Sequence, residues 1–146
     1  MNANNTIRHI FHESTMIALI IPGDYRDSGI KFFTPKEFSQ QLGYMNRPAG
    51  YTIQPHIHNE IHREVTLTQE VLIVKSGRVE IDFYSSNQEY LESVQLVAGD
   101  IILLAAGGHG LNFLEESEII EVKQGPHAGE EDKTRFAAKR DVGVGT

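Results

Sequence analysis

Short β-like runs separated by turn residues constrain the fold of this chain more than any other feature. Nine such runs occur between residues 16 and 123: Met16–Ile21, Ile30–Phe33, Tyr51–His58, Glu64–Lys75, Arg78–Tyr84, Val94–Val97, Ile101–Leu104, Leu111–Leu114 and Ile119–Lys123. The breaks between them are mostly too short for the crossover helices that parallel strands require. The pattern therefore predicts an all-β protein, an antiparallel barrel or sandwich.

Strict alternation in one run indicates how its strand faces the core. In RVEIDFY, Val79, Ile81 and Phe83 fall on one side, and the polar positions through Asp82 fall on the other. A period of two with one polar face is typical of a half-buried antiparallel strand. Gly77, directly before this run, suits the tight turn of a hairpin because glycine accepts positive φ.

One short N-terminal helix is predicted between residues 34 and 43. Thr34 is a suitable N-cap, Glu37 completes a capping box, and Gly43 is a suitable end. Phe38 and Leu42 are four residues apart and would pack on the sheet from one face of this helix.

Size and composition favour one domain over residues 1–146, with a core over about 14–124 and loose ends at 1–6 and 137–146. The net charge of −7 argues against a nucleic-acid partner, and the absence of cysteine excludes thiolate sites and disulfides. The longest apolar run, residues 16–22, is far shorter than the roughly 20 residues that span a bilayer. We therefore expect a cytoplasmic protein with no membrane association.

Three of the seven histidines cluster in sequence, at His56, His58 and His62. On a strand, His56 and His58 share a face roughly 7 Å apart, a spacing from which two imidazoles can bind one metal ion. A helical pair formed by His58 and His62 is disfavoured, because the zinc-protease pattern needs Glu where Asn59 stands. Pro55 also disfavours a helix just upstream of this pair.

Two further residues are predicted to point inwards. Glu70 begins the apolar run VLIVKSG, where burying a carboxylate is costly unless it meets a cation. By alternation, His109 shares a face with Leu111 and Phe113 and so points with apolar side chains. A third inward histidine and a buried glutamate strengthen the interpretation of the histidine pair as part of a metal site.

The residues of this site resemble the two motifs of the cupin superfamily. Residues 50–77, Gly-x5-His-x-His followed by Glu-x6-Gly, resemble its first motif, and residues 99–112, with His109 and Asn112, resemble its second. The resemblance implies a cupin-like antiparallel β-barrel, the double-stranded β-helix or jelly roll. It also implies one divalent metal ion, and the ligands carried over by position are His56, His58, Glu70 and His109.

The chain departs from the cupin pattern in two places. Eleven residues separate His58 from Glu70 where cupins have three or four, so Glu64 is an alternative carboxylate ligand and His62 a further rival. We prefer Glu70 because only Glu70 keeps the six-residue spacing to Gly77. In the second motif Ala105 stands where Pro is usual, and His109 comes one residue early. A shift of one residue either turns the side chain to the other face of the strand or is absorbed by the turn at Gly107 and Gly108, and we favour the second alternative.

Three imidazoles and one carboxylate suit Mn, Fe, Co, Ni or Zn and leave open positions for a small ligand. The resemblance implies a metal that acts as Lewis acid and template for a polyhydroxylated or carboxylate compound. Residues 99–126, GDIILLAAGGHGLNFLEESEIIEVKQGP, are similar to single-domain cupins associated with polysaccharide or nucleotide-sugar biosynthesis. The first hypothesis is therefore a metal-dependent enzyme, such as an isomerase, epimerase or dioxygenase, with a sugar-related substrate.

Two other functions stay open. One is a metal-containing binding or sensing module without turnover, and the other is a barrel whose role is assembly. Turnover needs an acid–base group near the metal, and the candidates by proximity in sequence are Tyr51, His62 and Glu64. We also expect a homodimer formed through apolar N-terminal strands. The charged tail is predicted to be a solvated extension, or alternatively to pack through residues 134–136 on an edge or a neighbouring subunit.

Overall fold

The computed structural model describes residues 6–138, and this part of the chain is almost entirely β. The ten strands are β1 (Arg8–His12), β2 (Thr15–Ile21), β3 (Gly29–Phe32), β4 (Gly43–Asn46), β5 (Glu70–Ser76), β6 (Arg78–Tyr84), β7 (Tyr90–Val97), β8 (Ile101–Leu104), β9 (Gly108–Phe113) and β10 (Glu118–Lys123). A single 3-10 turn at Gly129–Asp132 is the one helical element among the described residues. None of the helical structure in residues 6–138 is long and apolar enough to cross a membrane.

The strands form three antiparallel sheets. One sheet has five strands in the order β1-β2-β8-β5-β10, a second has three in the order β7-β6-β9, and β3 pairs with β4 in a two-stranded ribbon. All pairings are antiparallel. The prediction of an all-β antiparallel protein is therefore confirmed. Within residues 6–138, however, the strands do not close into a barrel, because the five- and three-stranded sheets share no hydrogen-bonded strand pair.

Two apolar clusters hold the sheets together. The first lies between the five- and three-stranded sheets and contains Leu72 and Ile102 from one and Ile81 and Phe83 from the other. The second covers the opposite face of the five-stranded sheet, where Leu19 and Leu103 are buried. Strands β2 and β8 are thus apolar on both faces, which explains why their sequences are continuous apolar runs.

Strand β6 has the predicted bounds and the predicted core face, but its other face is not solvated throughout. Val79, Ile81 and Phe83 are buried as expected, yet Asp82 is only 2% exposed. The prediction that Asp82 faces solvent is wrong, because the neighbouring strands β7 and β9 place Ser93 and Asn112 against its carboxylate. Burial of a carboxylate at this point makes Asp82 a candidate for the functional site.

The predicted helix over residues 34–43 does not form, and the structure has turns there instead. Thr34 Oγ1 donates to the side-chain oxygen of Gln41 and accepts from the backbone N–H of Leu42, so it bridges a loop rather than capping a helix. Gly43 begins β4. Phe38 and Leu42 do pack against the second apolar cluster, as expected, but they reach it from this loop.

The predicted strand Tyr51–His58 also does not form. Residues 51–67, which we call the arm, contain no strand or helix, and nearly all of them are exposed. The following strand begins only at Glu70, although an extended run was predicted from Glu64. The predicted loose ends at 1–6 and 137–146 lie mainly outside the described residues 6–138.

Gly77 provides a test of the hairpin between β5 and β6. Its φ is +89°, and a Cβ atom there would lie 2.5 Å from the backbone oxygen of Glu116. We expect Gly77→Ala to lower the free energy of unfolding by more than 2 kcal/mol, since it adds a steric clash to the cost of a left-handed residue, about 1–2 kcal/mol. Urea denaturation measures the change.

Gly129→Ala is the matched control for this substitution. Gly129 also has positive φ, +70°, but a Cβ there meets nothing within 4 Å. The free energy of unfolding of this control should fall only by the cost of placing alanine in a left-handed backbone conformation. Equal losses in the two variants would contradict the close approach between Gly77 and Glu116.

Candidate functional site

Glu70 and His109 lie 39 residues apart in sequence and meet at one end of the two packed sheets. Glu70 Oε1 lies 3.5 Å from His109 Nε2, and their side chains are 14% and 29% exposed. Glu70 is the first residue of β5 and pairs with Leu104, whereas His109 on β9 pairs with Phe83. Because Leu104 and Phe83 belong to the same apolar cluster, packing of that cluster brings the two polar side chains together.

The contact with His109 holds the carboxyl group of Glu70 in its charged form. The hydrogen bond with His109 lowers the pKa of Glu70 to about 2, against the opposing effect of partial burial. Glu121, on the neighbouring strand β10, has its pKa raised, chiefly by its hydrogen bond with Glu70 and then by burial. The carboxyl group of Glu121 is therefore the one that holds a proton more readily.

A cavity of about 770 Å³ opens beside this pair. Its polar lining includes Glu70, His109, Asp82 and Asn112. Asp82 accepts hydrogen bonds from Ser93 Oγ at 2.5 Å and from Asn112 Nδ2 at 2.9 Å. These bonds fix the orientation of the buried carboxylate, and the cavity combines fixed polar groups with apolar walls, as small-molecule sites commonly do.

The C-terminal segment supplies another wall of the same cavity. The ring of Phe136 lies 5.0 Å from that of Tyr84 in an edge-on arrangement, and it also lies over Gly108. Asp132 accepts a hydrogen bond from Thr68 and lies 3.7 Å from Lys123 Nζ. Most of residues 125–138 are exposed, as expected for a solvated extension, but Phe136 packs on Tyr84 at the end of β6, in line with the alternative that residues 134–136 pack on an edge.

The predicted ligands His56 and His58 lie elsewhere, on the exposed arm. Their ring centroids are 5.2 Å apart, so the two imidazoles stay close to each other. His56 Nδ1 is 2.9 Å from the backbone oxygen of Gln54. Within residues 6–138, no three His, Asp or Glu side chains come close enough together to hold a metal ion. The structure therefore brings together two of the four predicted ligands, Glu70 and His109.

The residues considered as acid–base candidates do not line the cavity beside Glu70 and His109. Tyr51 has the guanidinium of Arg47 over its ring, 4.0 Å from the centroid, and His62 is exposed on the arm. Glu64 lines a second cavity of about 490 Å³ together with Phe38 and Gln69. Of the two carboxylates weighed as ligands, it is Glu70 that contacts His109.

Sequence reasoning missed Asp82 and Glu121 as residues of the site. For Asp82 the available signal was Asn112 in the second motif, but the pairing of β6 with β9 had to be known to connect them. For Glu121 no local signal existed, since the sequence of β10, EIIEVK, does not single out this glutamate. Its approach to Glu70 follows from the register of β10 on β5.

Comparison of the chain with family models, with curated proteins and with solved structures finds no match.

Replacing His109 tests the electrostatics of the pair directly. In metal-free protein, His109→Ala should raise the pKa of Glu70 from about 2 towards the ordinary value of 4.5, because the main cause of the shift is removed. Carbon-detected NMR titration of the Glu70 carboxyl group measures this change. Glu118, which does not contact His109, serves as the internal control.

The lowered pKa of Glu70 makes the free energy of unfolding depend on pH. Because the folded-state pKa of Glu70 lies below its unfolded value, the pair stabilises the fold above about pH 4.5, and this contribution falls away as the pH drops towards about 2. Glu70→Gln should remove this part of the acid dependence. If the free energy of unfolding of this variant falls at low pH as steeply as that of the wild-type protein, Glu70 is not the cause of this pH dependence.

Proposed function

We propose that this chain is a cupin-like protein that binds one divalent transition metal ion and acts on a small polyhydroxylated or carboxylate ligand, sugar-related in class. The observation that carries the proposal is the meeting of Glu70 and His109 beside the larger cavity. The motif resemblance requires these two residues, from separate strands, to share a site. The proposed reaction classes are isomerisation, epimerisation or dioxygenation.

The donor pair fits a metal ion in its chemistry and spacing. Two ligands held at about 2.1 Å from one ion are separated by roughly 3.0–3.4 Å. The 3.5 Å between Glu70 Oε1 and His109 Nε2 is close to this range. The depressed pKa of Glu70 keeps its carboxylate charged at neutral pH, as a ligand must be. Two donors alone do not complete a site, and the proposal assigns the remaining two positions to His56 and His58.

The cavity lining favours a ligand rich in oxygen. Asp82 presents a fixed carboxylate, Asn112 an amide, and Lys133 a cationic group from the tail. A carboxylate accepts hydrogen bonds from hydroxyl groups, an amide both accepts and donates them, and an ammonium group pairs with a carboxylate. A bound metal would add Lewis-acid polarisation of a hydroxyl or carbonyl oxygen.

The chain's own side chains can divide the work of proton transfer. Glu70, with a pKa of about 2, is a weak base and serves to orient His109 and to carry negative charge. Glu121 does not itself line the cavity, but it has the raised pKa that favours a proton carrier and reaches the site through its hydrogen bond to Glu70. Phe136 and Tyr84 form an aromatic wall of the cavity on the tail side.

One observation favours a second function, a metal-containing binding or sensing module without turnover. Tyr51, His62 and Glu64 were the acid–base candidates, and none of them lines the cavity with Glu70 and His109. A site that holds a ligand in place but lacks a proton carrier binds without reaction. Glu121 is therefore the residue on which the choice between the two functions depends.

Metal content tests the proposal. Purified protein should contain one transition metal ion per chain by inductively coupled plasma mass spectrometry, and the double variant H56A/H58A should contain less than a tenth of that. Glu70→Gln should weaken metal retention at least tenfold more than Glu64→Gln, its matched control on the arm. The reverse order would move the carboxylate ligand to Glu64, and a metal-free wild-type protein would refute the metal part of the proposal.

Turnover is tested with Glu121→Gln on a panel of nucleotide sugars and hydroxy acids. If the protein is an enzyme, product formation followed by NMR should fall at least a hundredfold in this variant, while ligand binding by calorimetry changes less than threefold. Binding without product in the wild-type protein would favour the sensing module instead.

A further inference from the structure

The cavity of about 490 Å³ that Glu64 lines, which we call the second cavity, is bounded by segments far apart in sequence. Its walls come from the hairpin of β1 and β2, from the loop over residues 35–39 and from the end of the arm, with Ala105 and Ala106 after β8. Its volume lies within the range of about 300–1,000 Å³ that small-molecule sites occupy.

The interior of the second cavity is apolar. Met16 and Phe38 line it and pack against the second apolar cluster, and Ala105 belongs to that cluster. Two side chains at its walls stand largely in water, Phe11 at 53% exposed and Leu67 at 60%. An apolar ligand body in this space would remove both from water, which is favourable in proportion to the area covered.

Hydrogen bonds hold the loop wall of the second cavity in place. Gln69 is only 4% exposed, and its side-chain oxygen accepts from Ser39 Oγ and from the Gln40 N–H. The side-chain nitrogen of Gln41 donates to the backbone oxygens of Pro35 and Phe38, at 2.8 Å each. The loop is therefore fixed against the sheet, and the cavity exists before any ligand enters, as is usual for small-molecule sites.

The charges at the second cavity are all of one sign. Among its lining residues only Glu37 and Glu64 are charged, and they come from opposite walls, the loop and the arm. Within residues 6–138 neither carboxylate forms a hydrogen bond or an ion pair. Lys36 and Arg63 are their neighbours in sequence but do not line the cavity. Two carboxylates with no lining cation favour a positively charged ligand and disfavour an anion.

Aromatic side chains add to this preference. Phe11 and Phe38 line the second cavity from the hairpin and from the loop. The face of an aromatic ring attracts an ammonium group, and it also packs against the apolar substituents that such a group carries.

We infer that the second cavity binds a small organic cation with an apolar body, of the alkylammonium or arylammonium class. The apolar body lies against the second apolar cluster, and the ammonium group lies at the mouth between Glu37 and Glu64. This site is separate from that of Glu70 and His109, although Leu67 and Ala105 line both cavities. It does not depend on a metal ion.

Three probes of nearly equal size and different charge test the inference: benzylammonium, benzyl alcohol and benzoate. Each is titrated into the EDTA-treated full chain, labelled with ¹⁵N, and amide shifts are followed by NMR. Benzylammonium should shift the amide signals of Phe38 and Leu67 and bind about tenfold more tightly than benzyl alcohol, because only the cation gains the attraction of the carboxylates. Benzoate should show no saturable binding at these amides.

Charge variants show whether the two glutamates cause the preference. In E37Q/E64Q, the affinity for benzylammonium should fall about tenfold, to that for benzyl alcohol, while the affinity for benzyl alcohol stays unchanged. The matched control is E60Q/E116Q, which removes the same charge from two exposed glutamates outside the cavity. This control should bind all three probes as the wild-type protein does.

An apolar variant tests the position of the ligand body. Phe11→Ala should weaken benzylammonium and benzyl alcohol by the same factor, and the fold should persist by circular dichroism because this ring is half exposed. Phe32→Ala, at a residue 64% exposed on β3 and outside the cavity, is the control and should bind as the wild-type protein does.

Three results would overturn the inference. The first is the absence of saturable benzylammonium binding at the amides of the second cavity. The second is benzoate binding there as tightly as benzylammonium, which would make the cavity indifferent to charge. The third is an equal loss of benzylammonium affinity in E37Q/E64Q and E60Q/E116Q, which would assign the preference to the net charge of the chain.

Discussion

The packing of the three-stranded sheet against the five-stranded sheet is the constraint on which the rest of the structure depends. Phe83 of β6 is fully buried in the apolar cluster between the sheets, and the cluster also contains Leu104 of β8. The register of β9 on β6 places His109 opposite Phe83, and that of β5 on β8 places Glu70 opposite Leu104. The polar contact at the candidate site is therefore a consequence of apolar packing. A one-residue slip of either pairing would turn Glu70 or His109 to the other face of its sheet.

The local sequence pattern predicted those strands whose burial follows from their own residues. Strands β6 and β8 have the predicted bounds, because alternation in the first and a continuous apolar run in the second reflect how each is buried. The predicted helix over residues 34–43 failed for a different reason. Gln69, thirty residues away, accepts hydrogen bonds from Ser39 Oγ and from the Gln40 N–H. Such a tertiary contact overrides a weak helical preference, and capping residues alone could not reveal it.

The residues of the candidate site also fall into two groups, those that local pattern could predict and those that it could not. Glu70 and His109 were predictable because each begins or lies within a strand whose facing follows from its own sequence. Asp82 was misplaced because alternation assigns a face but does not say what neighbouring strands place on that face, and here β7 and β9 place Ser93 and Asn112 there. Glu121 became visible only through the register of β10 on β5. The strand predicted for His56 and His58 does not form, since no backbone–backbone hydrogen bond within residues 6–138 involves residues 52–67.

The conformation of a β-segment that lacks a neighbouring strand is not fixed by its own residues. A strand is stabilised by hydrogen bonds to its neighbour, so the arm gains little by becoming extended on its own, whatever its β propensity. Within residues 6–138, no backbone–backbone hydrogen bond involves residues 52–67, so the β propensity of this segment is not matched by a neighbouring strand.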